Sequence, residues 1–117
     1  MTELRIEPVG EDSFTVVDRD GEFVADGCFG IAARVPYHGY HDGPIDFSVD
    51  LRHRDAAHDV VELVICEVQR RWKRRAIRTT ASSFDEGWIH ILRTFRFRET
   101  EIFRSPAGRE FVIFLGR

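Results

Sequence analysis

A chain of 117 residues is long enough for one hydrophobic core without disulfides or metals, and gives no reason to draw a domain boundary. With 43% hydrophobic and 32% charged residues it has the composition of a soluble globular protein, and its ten phenylalanines exclude a disordered one. A formal net charge of −3 lacks the basic balance of a nucleic-acid-binding domain, so no nucleic-acid partner is expected. No apolar run is long enough to span a bilayer, and Met1 to Glu7 lacks the basic-then-apolar pattern of a leader, so a cytoplasmic protein is expected. Cys28 and Cys66 each sit in an apolar run and are expected to be buried, reduced thiols.

Leu4, Ile6 and Val9, set among polar residues, predict a short first strand. Phe14 to Val17 and Glu22 to Ala32 flank Asp18-Arg19-Asp20-Gly21, and Asp-Gly between apolar runs predicts a hairpin. Gly27 and Gly30 in its second arm predict a bulge or a close backbone approach. Turn residues from Pro36 to Pro44 predict a loop. In the strand after it, Ile45, Phe47, Val49 and Leu51 face one way, and Asp46, Ser48, Asp50 and Arg52 the other.

A helix is predicted from about His58 to Arg74, with Val61, Val64, Ile65, Val68 and Trp72 on its inner face. Asp55 and Asp59 open it, and Arg70, Arg71, Lys73, Arg74, Arg75 and Arg78 crowd its end. That arrangement suits the helix dipole without a phosphate ligand. Ala76 to Ala81 predicts another strand. Ser83-Phe84-Asp85-Glu86 reads as a capping box opening a second helix, with Phe84, Trp88, Leu92 and Phe95 turned inward. Phe97 to Phe103, the Ser-Pro-Ala-Gly turn at 105–108 and Phe111 to Leu115 complete a final hairpin, with Phe103 expected in the core beside Phe84, Trp88 and Phe95.

The resulting order, β-β-β-β-α-β-α-β-β with a crossover helix making one parallel pair, resembles the GNAT acetyltransferase superfamily from about Phe14 to Leu115. The segment Trp88 to Glu99 is similar to that family's late helix running into a strand, with Phe97 matching the Phe of its Gly-Phe pair and Arg96 standing in place of the Gly. The resemblance implies one α+β domain over residues 1–117. Its GNAT-like mixed sheet has six to seven strands, mostly antiparallel with one parallel pair, flanked by two helices.

It also implies a cofactor, acetyl-CoA, whose pyrophosphate the family holds on a turn of Arg or Gln, two residues, Gly, one residue, then Gly or Ala. The matching stretch is Arg54-Asp55-Ala56-Ala57-His58-Asp59, where Arg54 fits, Ala57 stands for the first Gly and Asp59 takes the place of the second. Helix-start amides suit an anion, whereas Asp55 and Asp59 repel one by on the order of 1 kcal/mol each near a solvated surface. Arg52, His53, Arg54 and His58 offset this by charge-assisted contacts. The implied cofactor set is therefore Arg52, His53, Arg54, Ala57, His58 and Asp59.

Asp46 and Asp50 stand where family members keep an acidic general base. The tyrosine that protonates the leaving thiolate in the family is replaced by Leu92. Residues 10–13 leave no room for the two helices that wall the acceptor site, so that wall is missing or comes from a partner. His38, His41, Asp42, His53 and His58 carry metal-ligating groups, but their spacing matches no recognised site and no metal is expected. The leading expectation is an acyl-CoA-binding N-acetyltransferase acting on an amine. The other is a non-catalytic GNAT-fold binding or dimerisation module that forms a homodimer through its excess of aromatic surface.

Overall fold

The computed structural model describes residues 3–31, 44–73 and 75–116. Seven strands occur in chain order: β1 (Arg5–Val9), β2 (Ser13–Val17), β3 (Phe23–Ile31), β4 (Ile45–Leu51), β5 (Ile77–Ser82), β6 (Arg98–Arg104) and β7 (Glu110–Gly116). Helix α1 (Ala57–Arg71), preceded by a 3₁₀ turn at Arg54–Ala56, joins β4 to β5, and α2 (Glu86–Thr94) joins β5 to β6. The strands lie in the order β1-β2-β3-β4-β5-β7-β6, antiparallel throughout except for β4 and β5. The α+β mixed sheet expected from the sequence is the sheet observed, with both helices and the single parallel pair in place.

Alternation decides which face is buried. Ile45 and Phe47 of β4, Ile77, Thr79 and Ala81 of β5, and Val112 and Phe114 of β7 are buried in one core with Val60, Val64 and Val68 of α1 and Leu92 of α2. Valine is a mediocre helix former, so this burial, more than propensity, holds α1. The periodic reading of α1 caught Val61, Val64 and Val68 and missed Val60. The helix ends at Arg71, three residues short of the expected Arg74, because Trp72 leaves helical geometry at φ −129° and ψ 69°. Arg71 there bonds to Glu67 and lies over the rings of Phe29 and Trp72, and Arg70 bonds to the same carboxylate. Burial pushes the Glu67 carboxyl up, but the two guanidiniums outweigh it and hold the group below its ordinary range. The basic cluster is thus partly spent on the helix end.

In the first hairpin the Asp18 side chain accepts from the amides of Asp20 and Glu22, and Gly21 takes a positive φ of 81°. Gly27 makes the expected close approach: a Cβ there would meet the Ser48 carbonyl and come within 2.6 Å of the Phe14 ring. Gly30 does not, and the irregularity in the β2–β3 ladder falls at Val16/Val17. Both cysteines are free, as expected, but exposed: each alternates or rotates onto the solvent side of its element. The loop expected over residues 36–44 lies outside the described residues except for Pro44.

Two aromatic assignments are corrected. The helix α2 is capped by Asp85, which accepts from the Trp88 amide at 3.2 Å, not by a Ser83–Glu86 box. Ser83 instead donates to Glu110 of β7. One position earlier than the cap, Phe84 points away from the core and is 86% exposed. Phe103 is also exposed, stacked on Phe111 across the sheet face that carries no helix.

At its other end α2 closes with a Schellman arrangement. The Phe97 amide bonds to the Leu92 carbonyl and the Arg96 amide to that of Arg93, with Leu92 and Phe97 both buried. That turn puts Arg96 at φ 65°, the left-handed region that suits glycine. Arg96→Gly is therefore expected to raise stability by about 0.5–1 kcal/mol by removing left-handed strain, less the added unfolded-state entropy. Urea denaturation followed by circular dichroism checks this; a loss of stability contradicts it.

Candidate functional site

The parallel ladder between β4 and β5 is short. It pairs Ile45 with Ile77 and Asp46 with Arg78 and then stops, although β4 runs on to Leu51 and β5 to Ser82. The Ile45 amide bonds to the Ala76 carbonyl at 2.8 Å, so by strand alternation the amides of Phe47 and Val49 face β5 too. Beyond the ladder two side chains replace the missing partners. The Thr79 hydroxyl donates to the Phe47 carbonyl at 2.9 Å, and the Trp88 indole donates to the Thr80 carbonyl at 3.2 Å. Two carbonyls bordering the gap, those of Phe47 and Thr80, are thus satisfied, while no strand pairing reaches the amides of Val49 and Thr80.

This gap is the inner end of a cavity of about 440 Å³. Val49, Asp50 and Thr80 line it from the strands, Arg54 from the 3₁₀ turn, Ala57 from the start of α1, and Trp88 from α2. Arg54 reaches across to Asp85 at 3.4 Å, tying the approach to α1 to the cap of α2. With Arg54 81% exposed, this bridge is solvent-screened and weak. No side chain caps either the 3₁₀ turn or α1. The 3₁₀ turn itself uses the amides of Ala56, bonded to His53, and Ala57, bonded to Arg54, leaving those of Arg54 and Asp55 at the open end.

Of the six residues expected to hold the cofactor, Arg54 and Ala57 meet at the cavity. Arg52 and His53 turn toward Phe23 on the other side of the β4 end, with the Arg52 guanidinium 6.0 Å from that ring. His58 lies 4.7 Å from the Phe95 ring, and Asp59 faces a separate depression with Leu4 and Arg19. His58, Asp59 and Glu62 bring ligating atoms within 4.8 Å of one another, all on exposed side chains. His38, His41 and Asp42, weighed as metal ligands, lie outside the described residues.

The two candidate bases differ. Asp50 is exposed and lines the cavity at the gap. Asp46 has both oxygens on Arg78, Nε at 2.6 Å and Nη2 at 2.9 Å. The hydrogen bonds that Arg78 donates to Asp46 raise its pKa above the ordinary value, against burial and with help from the charges of Asp46 and Glu101. Leu92 is fully buried and does not line this cavity. Thr79, Arg78, Asp85 and Trp88 were not singled out by sequence for these roles. The one signal for Thr79 was a hydroxyl on the apolar phase of β5, where it is the buried polar residue among the described residues at 4% exposure.

No family model and no curated protein matches this sequence. Solved structures do match. Ribosomal-protein-S5-alanine acetyltransferase from Vibrio fischeri superposes with a TM-score of 0.68 at 13% identity, over 88% of this chain and 59% of that one. Aminoglycoside N(6′)-acetyltransferase from Legionella pneumophila gives 0.70 at 10% identity, over 88% and 60%. The yncA protein from Salmonella typhimurium, solved with its cofactor acetyl-CoA, gives 0.67 at 12% identity, over 88% and 62%. The chain has the fold of the GNAT acetyltransferases, and it spans about 60% of the length of these structures. Among the described residues, the segment between β1 and β2 is a turn, as the sequence required.

Thr79→Val keeps the shape of the side chain and removes the donor to the buried Phe47 carbonyl. A loss of about 1–3 kcal/mol is expected by urea denaturation. An unchanged midpoint would mean that this hydroxyl does not hold the edge of the gap.

Proposed function

We propose that this protein binds an acyl-CoA in the cleft between β4 and β5 and passes the acyl group to an amine. The observation that carries the reading is the ladder that stops after Asp46–Arg78 with its carbonyls capped by Thr79 and Trp88 and the amides of Val49 and Thr80 left facing the cleft. A thioester carbonyl laid against such a donor gains most as its oxygen becomes negative. The amine nitrogen attacks that carbon, the carbon–sulfur bond breaks, and the thiolate leaves and takes a proton from solvent, since Leu92 supplies none. For a simple amine the proton goes to Asp50; Asp46 becomes a base only when Arg78 is drawn off it. Arg54 and the open amides at the 3₁₀ turn take the pyrophosphate. The reading implies a cytoplasmic protein with acetyl-CoA as its natural acyl donor, and the Salmonella protein solved with that cofactor supports it by fold alone.

A second reading, a non-catalytic module that pairs with a second copy, draws on the helix-free sheet face, where Phe103 and Leu115 are exposed beside Phe111 and Ile113. Thermal melting with millimolar acetyl-CoA separates the two. Binding to the native state at a hundredfold excess over the dissociation constant adds about 2.7 kcal/mol of stability. Arg54→Glu is expected to abolish the shift. Asp85→Asn keeps a good N-cap for α2 but frees Arg54, and is expected to tighten binding up to about fivefold, the worth of one exposed ion pair. No shift in the wild type would favour the module.

A further inference from the structure

The sheet face without helices carries a second cavity of about 460 Å³, and its chemistry specifies an occupant. Its floor is the end of the β4–β5 ladder, where Asp46 and Arg78 are paired, and Ser48 and Thr80 add hydroxyls one step along each strand. Its wall is apolar: Phe103 of β6, held by stacking on Phe111, and Ile113 of β7. The volume is that of a small-molecule site. Among the residues that line it, one plus and one minus charge therefore lie side by side under an aromatic and aliphatic wall, with the charge of Glu101 acting on Arg78 from outside the lining.

We infer that this cavity binds a free α-amino acid with an apolar side chain, its carboxylate on Arg78, its ammonium on Asp46 and its side chain against Phe103 and Ile113. The Asp46–Arg78 pair is more than a third exposed on both sides, so it contributes little to stability and is open to exchange. What can replace it is restricted. A simple amine that takes Asp46 leaves the Arg78 guanidinium with no hydrogen-bonded carboxylate, only the Coulombic pull of Glu101, and a simple acid that takes Arg78 strands the Asp46 carboxylate. A molecule with both charges on adjacent atoms satisfies both at once, and the planar guanidinium offers a carboxylate the same two-pronged contact it now gives Asp46. An amino acid lacking a side chain would leave the wall wet. Resting on the acyl-transfer reading, the inference also names the acceptor: a carboxylate that draws Arg78 away uncovers Asp46 beside the amine that must lose a proton.

The test is binding of L-phenylalanine to the protein without any CoA, followed by amide chemical shifts. Phenethylamine, which lacks the carboxylate, 3-phenylpropionate, which lacks the ammonium, and glycine, which lacks the side chain, serve as probes on the wild type. L-phenylalanine is expected to shift the Ser48, Thr80 and Ile113 amides and to bind at least about tenfold more tightly than each of the three. Arg78→Gln and Asp46→Asn, checked for folding by their melts, are each expected to weaken it by about tenfold. Binding no tighter than that of phenethylamine, shifts confined to other residues, or no binding would each overturn the inference. Because acetyl-CoA is absent, the acyl-donor reading stands or falls separately: amino-acid binding with no acetyl-CoA melt shift removes that reading and leaves this site.

Discussion

The arrangement depends on two parallel strands that part after two residue pairs. Parallel strands joined by a crossover helix usually pair along their length, because an unpaired, buried backbone group is costly. Here the cost is reduced from the side-chain direction. Thr79 takes the Phe47 carbonyl and Trp88 takes that of Thr80, and the residues of the remaining amides, Val49 and Thr80, line the cavity. The divergence brings the start of α1 and the start of α2 to opposite sides of one opening, where Arg54 meets Asp85.

The two faces of the sheet then have different roles. One carries both helices and the core, so the cleft on that side is walled by Trp88 and Ala57 and reaches the anion-attracting end of α1. The other carries paired charge at Asp46 and Arg78 beside exposed rings. On the proposed acyl-transfer reading, a donor entering by the first face and an acceptor by the second would meet where the strands separate. The edge of the sheet beyond is guarded by charge: β6 is exposed along its whole length and carries Arg98, Glu99, Glu101 and Arg104 around Ile102 and Phe103.

The fold was legible in the sequence because its signals were local and consistent. The alternation of Ile45 to Leu51, the Asp-Gly turn, and the valines of α1 each fix an element with no reference to the others. The errors arose where one residue has two good local uses. Ser83 and Asp85 both suit a helix start, and the choice was made by Glu110, a β7 residue that takes the Ser83 hydroxyl. That choice moved Phe84 from the inner face to solvent. The cysteines failed similarly, since an apolar neighbourhood in sequence does not say which side of a strand or helix a given side chain takes.

The site was less legible. Motif spacing brought Arg54 and Ala57 to the cleft but also proposed Arg52, His53, His58 and Asp59, which the turn of the chain sends elsewhere. Asp46 and Asp50 were seen on one face, yet only the register that sets Asp46 opposite Arg78 distinguishes them. A hydroxyl on the apolar phase of β5 marks Thr79 as unusual, but its role comes from a carbonyl in another strand, which the sequence does not show. Amide hydrogen exchange tests the separation of the strands most directly. The account predicts slow exchange at Ile45 and Phe47 and exchange faster by about a hundredfold or more at Val49 and Thr80. Equal, strong protection at all four would mean that β4 and β5 pair to their ends and that no cleft exists between them.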